Sequence, residues 1–244
     1  MSNTVILIPS RLAATRLPNK PLLKINNISI INHVYKIAKS FIGESYVATG
    51  DKEIFEEVTK HGGKCILTTK DHKTGTDRIF EAYQDLKDDN IDYVINLQGD
   101  EPMLDIDDVN NLLKNTIEKK SKISTLACQI EDEKLFLNKN IVKVTTKDQL
   151  NQSNLSTATS FMREIDNTKK NIYHHIGIYI YNVSYLEKFV KLEQTQNEKS
   201  QKLEQLRLMD NNIEINVGLA KTKPIGVDTA EDYLEIKKIM EYKN

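Results

Sequence analysis

The stretch TVILIPSRLAATRLPNKP, residues 4–21, passes from an apolar run into a loop that carries Arg11, Arg16 and Lys20. Residues 4 to 9 read as a short buried strand, closed by Pro9, which removes a backbone donor. The three cations follow directly after it. Arginine forks grip two phosphate oxygens at once and lysine adds a mobile point charge, so the set suits a triphosphate better than a single carboxylate. A solvated basic loop is the plainer reading, and the pattern alone leaves both open. No GxGxxG follows the strand and no GxxxxGK[ST] occurs in the chain, which excludes a dinucleotide fingerprint and a Walker loop. Any phosphate is then held mainly by side chains.

Outward from this stretch, helical and strand periods alternate. Ile30, Ile31, Val34, Ile37, Ala38 and Phe41 fall on one face at the 3.6-residue period and predict a helix. Residues 46–49 read as a strand, Ile54, Phe55 and Val58 line a helix ended by His61-Gly62-Gly63, and 65–67 read as the next strand. Residues 76–86 predict a helix, 93–97 a buried central strand and 105–119 another helix. This alternation predicts an α/β fold, a mostly parallel sheet with helices on both faces and function at the strand C-terminal ends. Strand candidates at 124–130, 141–146 and 174–181 flank a polar run, DQLNQSNLSTATS, with no helical period. They predict a smaller mixed lobe, placed at 129–210, inserted in a core made of 1–128 and 211–244. Within and after it, 202–210 reads as a helix, 213–219 as a strand and 229–240 as a closing helix with Thr229 as its N-cap.

At 244 residues the chain is long enough to bury roughly 70 to 75% of its extended surface. Its formal charge of −1 argues against a surface built as a nucleic-acid footprint, and any bound anion belongs in a local pocket. Cys65 and Cys128 form no CxxC spacing and read as two thiols in a reducing compartment. VILIP is too short for a membrane span or a signal-peptide core, so a cytoplasmic protein without membrane insertion is expected.

Two acidic segments complete the chemistry. In LQGDEP, residues 97–102, an apolar strand ends in Gly99, whose missing side chain permits close backbone approach by a ligand, and then presents Asp100 and Glu101. In GVDTAED, residues 226–232, Asp228 precedes the last helix. Asp100 and Asp228 sharing a phosphate-rich site would select magnesium over zinc. An acidic turn and a plain helix-start residue are the alternatives. His174 and His175 are adjacent on a strand and point to opposite faces, so they do not readily share one ion. His33, His61 and His72 carry little signal alone, and no GxSxG elbow or other local pattern supports covalent catalysis.

In order, the segments IPSRLAATRLPNKPL, VATGD, DHKTGTDRI, NLQGDEP, HHIGIY, LEQLR and GVDTAEDYLE resemble the 3-deoxy-manno-octulosonate cytidylyltransferase family over nearly the whole chain. The resemblance implies a nucleotide-diphospho-sugar-transferase type domain with a smaller dimerisation lobe, and a homodimer. It implies transfer of CMP from CTP to a 3-deoxy-2-keto sugar acid (Kdo) for lipopolysaccharide synthesis, with Mg2+ and pyrophosphate release. By the same resemblance Arg11, Arg16 and Lys20 bind the triphosphate, Thr74, Gly75 and Arg78 contact the nucleotide, and Asp100 and Asp228 hold magnesium. Arg11, Lys20, Asp100 and Asp228 form the catalytic set, and Gln98, His175, Glu204 and Gln205 line the sugar pocket. The chain departs from the family in LSTATSFMRE, where Thr157 stands at a usual Arg position and Phe161 at a usual Pro position. That opens an 8-amino analogue of Kdo as acceptor, with Arg163 as a substitute charge. A sialic-type acid and a non-catalytic nucleotide binder are further alternatives.

Overall fold

A computed structural model of the protein describes residues 3–13, 16–41, 43–69, 71–165, 170–223 and 225–242. The chain divides into two compact units, residues 1–106 with 224–244, and residues 107–223.

The first unit begins with β1 (Thr4–Ser10), whose residues Val5 to Ile8 are buried on both faces, as an unbroken apolar run requires. A short hairpin of β2 (Lys24–Ile25) and β3 (Ile28–Ser29) leads into α1 (Ile30–Ala38). There follow β4 (Glu44–Thr49), α2 (Lys52–Lys60), β5 (Cys65–Leu67), α3 (Gly75–Leu86) and β6 (Tyr93–Asn96). Gly62, at φ +75°, turns the chain out of α2 in the left-handed region that glycine enters without steric cost. The strands order β5-β4-β1-β6, all parallel, and α1, α2 and α3 pack on them. The hairpin was not foreseen. Its left-handed Asn26 and Asn27, at φ 49° and 62°, are the turn signal that marks it.

The second unit holds α4 (Ile106–Glu118), β7 (Ile123–Cys128), β8 (Lys143–Thr146), β9 (Leu155–Met162), β10 (Ile172–Asn182), α5 (Val183–Lys191), α6 (Gln196–Gln201), α7 (Leu206–Asp210) and β11 (Asn216–Leu219). Within it β10-β7-β11-β9-β8 form a mixed sheet, and β8 pairs again with β10, so the strand order closes on itself. The unit is wider at both ends than the expected 129–210 segment. β7 and β11 are parallel neighbours, and β10 pairs with β7, which draws residues assigned to the core into this sheet. The chain then returns to the first unit as α8 (Ala230–Tyr242), where Thr229 and Asp232 exchange backbone-to-side-chain bonds at 2.8 and 3.2 Å and confirm the expected cap.

Three elements differ from expectation. The polar run hides β9, because its inward positions include Ser156 and Ala158, and Ser156 Oγ accepts from Asp148 N–H at 2.8 Å. α5 was not foreseen, although Leu186 and Phe189 give it a buried stripe. The single helix expected at 202–210 is broken: Lys202, at φ 53°, caps α6, and only residues 206–210 form α7. Among the described residues no helix is long and apolar enough to cross a membrane.

Candidate functional site

A pocket of about 340 Å³ in the first unit lies at the C-terminal end of β1. Nine residues singled out from the sequence line it: Arg11, Arg16, Lys20, Thr74, Gly75, Arg78, Gln98, Asp100 and Asp228. The order of the parallel strands explains the convergence. β1 and β6 are neighbours, so the loops leaving them, one basic and one acidic, open side by side.

At its acidic wall, Lys20 Nζ stands 2.6 Å from Asp100 Oδ2 and 3.4 Å from Asp228 Oδ1, and Arg16 reaches Asp228 Oδ2 at 3.2 Å. Lys20 is the shielded member, its side chain 14% exposed against 49% for Asp228. Its position follows from Pro21 and a 3-10 turn at Lys20–Leu22, entered through left-handed Asn19. Asp228 is set by the cap of α8, where Asp232 accepts from the N–H groups of Asp228 and Thr229 at 3.0 and 2.8 Å. Val227 N–H donates to Asp100 O at 2.8 Å and ties the two acidic segments together. Gly99 lines the pocket and also packs tightly on the protein's own backbone, since a Cβ there would stand 3.0 Å from Pro9 O.

Behind these two carboxylates lies a third that the sequence reading mentioned and did not use. Glu101 Oε2 is buried without a hydrogen-bond partner among the described residues. Burial pushes its pKa up to about 8, the charges of Asp100 and Asp228 add to the rise, and Lys20 opposes it. At neutral pH this carboxyl is mainly protonated, which spares the wall a third negative charge.

The opposite wall is the start of α3. Thr74 and Asp77 form a capping box, with Thr74 Oγ1 accepting from Asp77 N–H at 3.2 Å, and Gly75 lets the helix start 3.3 Å from Pro9 as measured from a Cβ placed on it. Arg78, one turn on, is buried and donates to Thr68 Oγ1; burial lowers its pKa, and Asp51 counters that shift. His72 also lines the pocket, through an imidazole whose Nε2 sits 2.6 Å from Glu81 Oε2. Glu81 stays below the usual carboxylate range despite burial, because Thr69 and His72 hydrogen-bond to it. His72 was passed over in the sequence for want of a visible partner; Glu81, nine residues on, is that partner.

The other residues expected at the sugar, His175, Glu204 and Gln205, lie in the second unit. His175 is buried, 3.0 Å from Thr125 Oγ1 through Nε2, with Phe161 edge-on at 5.0 Å and Tyr179 at 5.6 Å. Burial, helped by His174, pushes its pKa down to about 3, so it is a neutral hydrogen-bonding group. Tyr179, unmentioned in the sequence reading, is brought here by a β-bulge in β10 between Ile176 and Tyr179. Burial, then Tyr181 and Glu204, raise the pKa of its buried hydroxyl well above that of a free tyrosine, and Thr125 counters the rise. Gln205 is buried at the N-cap of α7, and the Glu198–Arg207 pair beside it, bonded at 2.8 Å through Nε, fixes that helix. Phe161 therefore has a packing role. Thr157 donates to Glu214 at 3.1 Å, and Arg163 spends its guanidinium on the carbonyls of Lys139, Gln201 and Lys202.

Residues 5–215 match the Cytidylyltransferase family. The 3-deoxy-manno-octulosonate cytidylyltransferase of Thermodesulfovibrio yellowstonii is 43% identical, covering 94% of both chains, and that of Rhodopseudomonas palustris is 40% identical over 98% of both. The chain belongs to the 3-deoxy-manno-octulosonate cytidylyltransferase family. The structure of a CMP:2-keto-3-deoxy-manno-octonic acid synthetase complexed with CTP superposes over the full length of both chains with a TM-score of 0.88 at 34% identity. Membership in this family accounts for the α/β architecture, and its relatives' names do not favour the 8-amino analogue, a sialic-type acid or a non-catalytic binder.

Proposed function

We propose that the chain transfers CMP from CTP to the anomeric hydroxyl of 3-deoxy-manno-octulosonate, releasing pyrophosphate, as a step toward lipopolysaccharide. The observation that carries this reading is the convergence of Lys20, Asp100 and Asp228 in a pocket that also presents Arg11, Arg16 and Arg78. In this reading the cations take the triphosphate oxygens, with the guanidiniums as forks and Lys20 as a point charge. Thr74 and Gly75, at the start of α3, line the same pocket, and the positive end of the helix dipole favours a phosphate near them. The sugar oxygen attacks the α-phosphorus, the bond to pyrophosphate breaks, and the hydroxyl proton leaves to solvent. The positive side chains stabilise charge on the departing oxygens.

Asp100 and Asp228 fit a magnesium site. Two carboxylates completed by phosphate oxygens and water are the donors this ion prefers. When bound, the ion would neutralise phosphate charge and acidify the attacking hydroxyl. Lys20 now neutralises the pair that would hold it. Gln98 at this pocket and His175, Glu204 and Gln205 in the second unit are read as sugar contacts, neutral or acidic groups suited to hydroxyls. Homodimerisation through the second unit and cytoplasmic residence complete the reading; the free thiols Cys65 and Cys128 agree with a reducing compartment.

The test is pyrophosphate release with CTP and magnesium against a panel of Kdo, its 8-amino analogue and sialic acid. Release with Kdo is expected. No release with any acid defeats the enzymatic reading, and a marked preference for the amino analogue moves the acceptor.

A further inference from the structure

Asp51 ends the segment VATGD and occupies the N-cap position of α2. An aspartate there ordinarily accepts a hydrogen bond from the second or third N–H of its own helix. No such bond forms. Its Oδ2 accepts instead from the N–H of Leu12 at 2.8 Å, in the loop that carries Arg11, 39 residues earlier. The Asp51 N–H donates to the buried Thr49 Oγ1 at 3.1 Å, which fixes the base of the side chain at the end of β4. The same segment is shaped around Arg78: a Cβ on Gly50 would stand 3.1 Å from its Nη1. Charge points the same way, since Asp51 supports the ionised form of Arg78 while Arg11 opposes it.

We propose that Asp51 is a positioning residue for the nucleotide. It pins the backbone of the opening loop at Leu12 and supplies the negative charge that lets Arg11 and Arg78 face one pocket before any phosphate arrives. The carboxylate leaves its own helix uncapped to do so. Asp51 touches neither reacting atom; it acts through Leu12 and the two arginines. The proposal rests on the reading of this pocket as the CTP site.

Serine separates the two roles, because its hydroxyl can cap α2 and its short neutral side chain does not replace a carboxylate on Leu12. In the full chain, D51S, D51A and D51N are compared with the parent for CTP dissociation constant, KM for CTP, KM for the sugar acid and melting temperature. D51S and D51A are expected to weaken CTP by about tenfold or more in both Kd and KM. The sugar KM should stay within about twofold, and D51S should melt at or above the parent as serine takes the vacant cap. D51N is expected to recover part of the affinity, since its amide oxygen restores the bond to Leu12 without the charge. CTP affinity within about twofold of the parent in D51S overturns the proposal. So does a loss matched by an equal rise in sugar KM and a fall in melting temperature, which is the signature of a merely structural residue. If the parent itself neither binds CTP nor releases pyrophosphate, the pocket reading and this one fall together; a parent that turns over beside an unaltered D51S defeats the Asp51 proposal alone.

Discussion

The acidic wall of the first unit and the buried surroundings of His175 in the second handle polar groups in opposite ways. Around Lys20 the charges are kept: two carboxylates and two cations meet in a half-exposed cleft and balance one another. Around His175 charge is refused, with the imidazole held neutral by burial among Phe161 and Tyr179 and tied to Thr125. The first arrangement suits a ligand that brings many negative charges. The second is packed interior, where a neutral imidazole bonded to Thr125 costs less than a charged one. The lesson is that a substitution in the first region should move chemistry and leave the fold, and one in the second should move both.

The largest expected effect tests the first half of that statement. Asp100→Ala and Asp228→Ala are each expected to lower kcat by about 100-fold or more with the melting temperature nearly unchanged. Pyrophosphate-release kinetics beside thermal melts check it, and near-parental turnover in either removes that residue from the metal scheme.

Next in size, Arg207→Ala leaves Glu198 as an unpaired charge in a site where both side chains are under 5% exposed. Such a break typically costs about 3–5 kcal/mol. Urea unfolding should show it, together with a raised sugar KM from the loosening of α7. Unchanged stability would erase the contrast between the two regions.

A smaller effect follows from pH. Burial pushes the pKa of His175 down to about 3 and that of His174 down to about 4, well below that of a free imidazole, near 6.5. The unfolded chain therefore binds protons that the folded chain refuses. Stability contributed by neutral His175 is full above pH 6.5 and falls as pH drops toward 3, by up to about 1.4 kcal/mol per pH unit. His175→Gln should flatten that slope in denaturant titrations between pH 6.5 and 4.5; an unaltered slope assigns the acid sensitivity elsewhere.

The smallest change is expected at Thr157, whose partly exposed hydroxyl bonds Glu214. Thr157→Ala should alter stability by less than about 0.5 kcal/mol and sugar KM by less than about threefold. Arg163→Ala should lower the melting temperature, since its guanidinium holds three backbone carbonyls, and leave the sugar KM in place. A sugar KM that rises without a change in melting temperature would restore Arg163 as the substitute charge.

The same contrast explains what could be read from residues alone. The parallel sheet of the first unit was legible because its central strands β1 and β6 are buried apolar runs and its helices carry clear stripes. Its pocket was legible because fixed charges at strand ends announce themselves, as Arg11, Lys20 and Asp100 do. His72 and Asp51 escaped, because each acts through a partner that adjacency in sequence does not show, Glu81 for one and Leu12 for the other. In the second unit β9 turns serine and alanine inward, which blurs the alternation, and Tyr179 reaches His175 only through a bulge. Local composition carries no signal for either.

The bond between Lys20 and Asp228 spans 208 residues of chain, with the whole second unit intervening. Protein synthesis is vectorial, so during translation the sheet and the basic loop emerge first and wait while residues 107–223 are made and folded. The acidic wall closes only once Asp228 and α8 have joined the first unit. Until then Lys20 has Asp100 alone, and the hydrophobic seat of α8, formed by Ile25 and Ile30, stands uncovered. Packing the last part of the first unit's core and closing the acidic wall of its pocket are therefore one event.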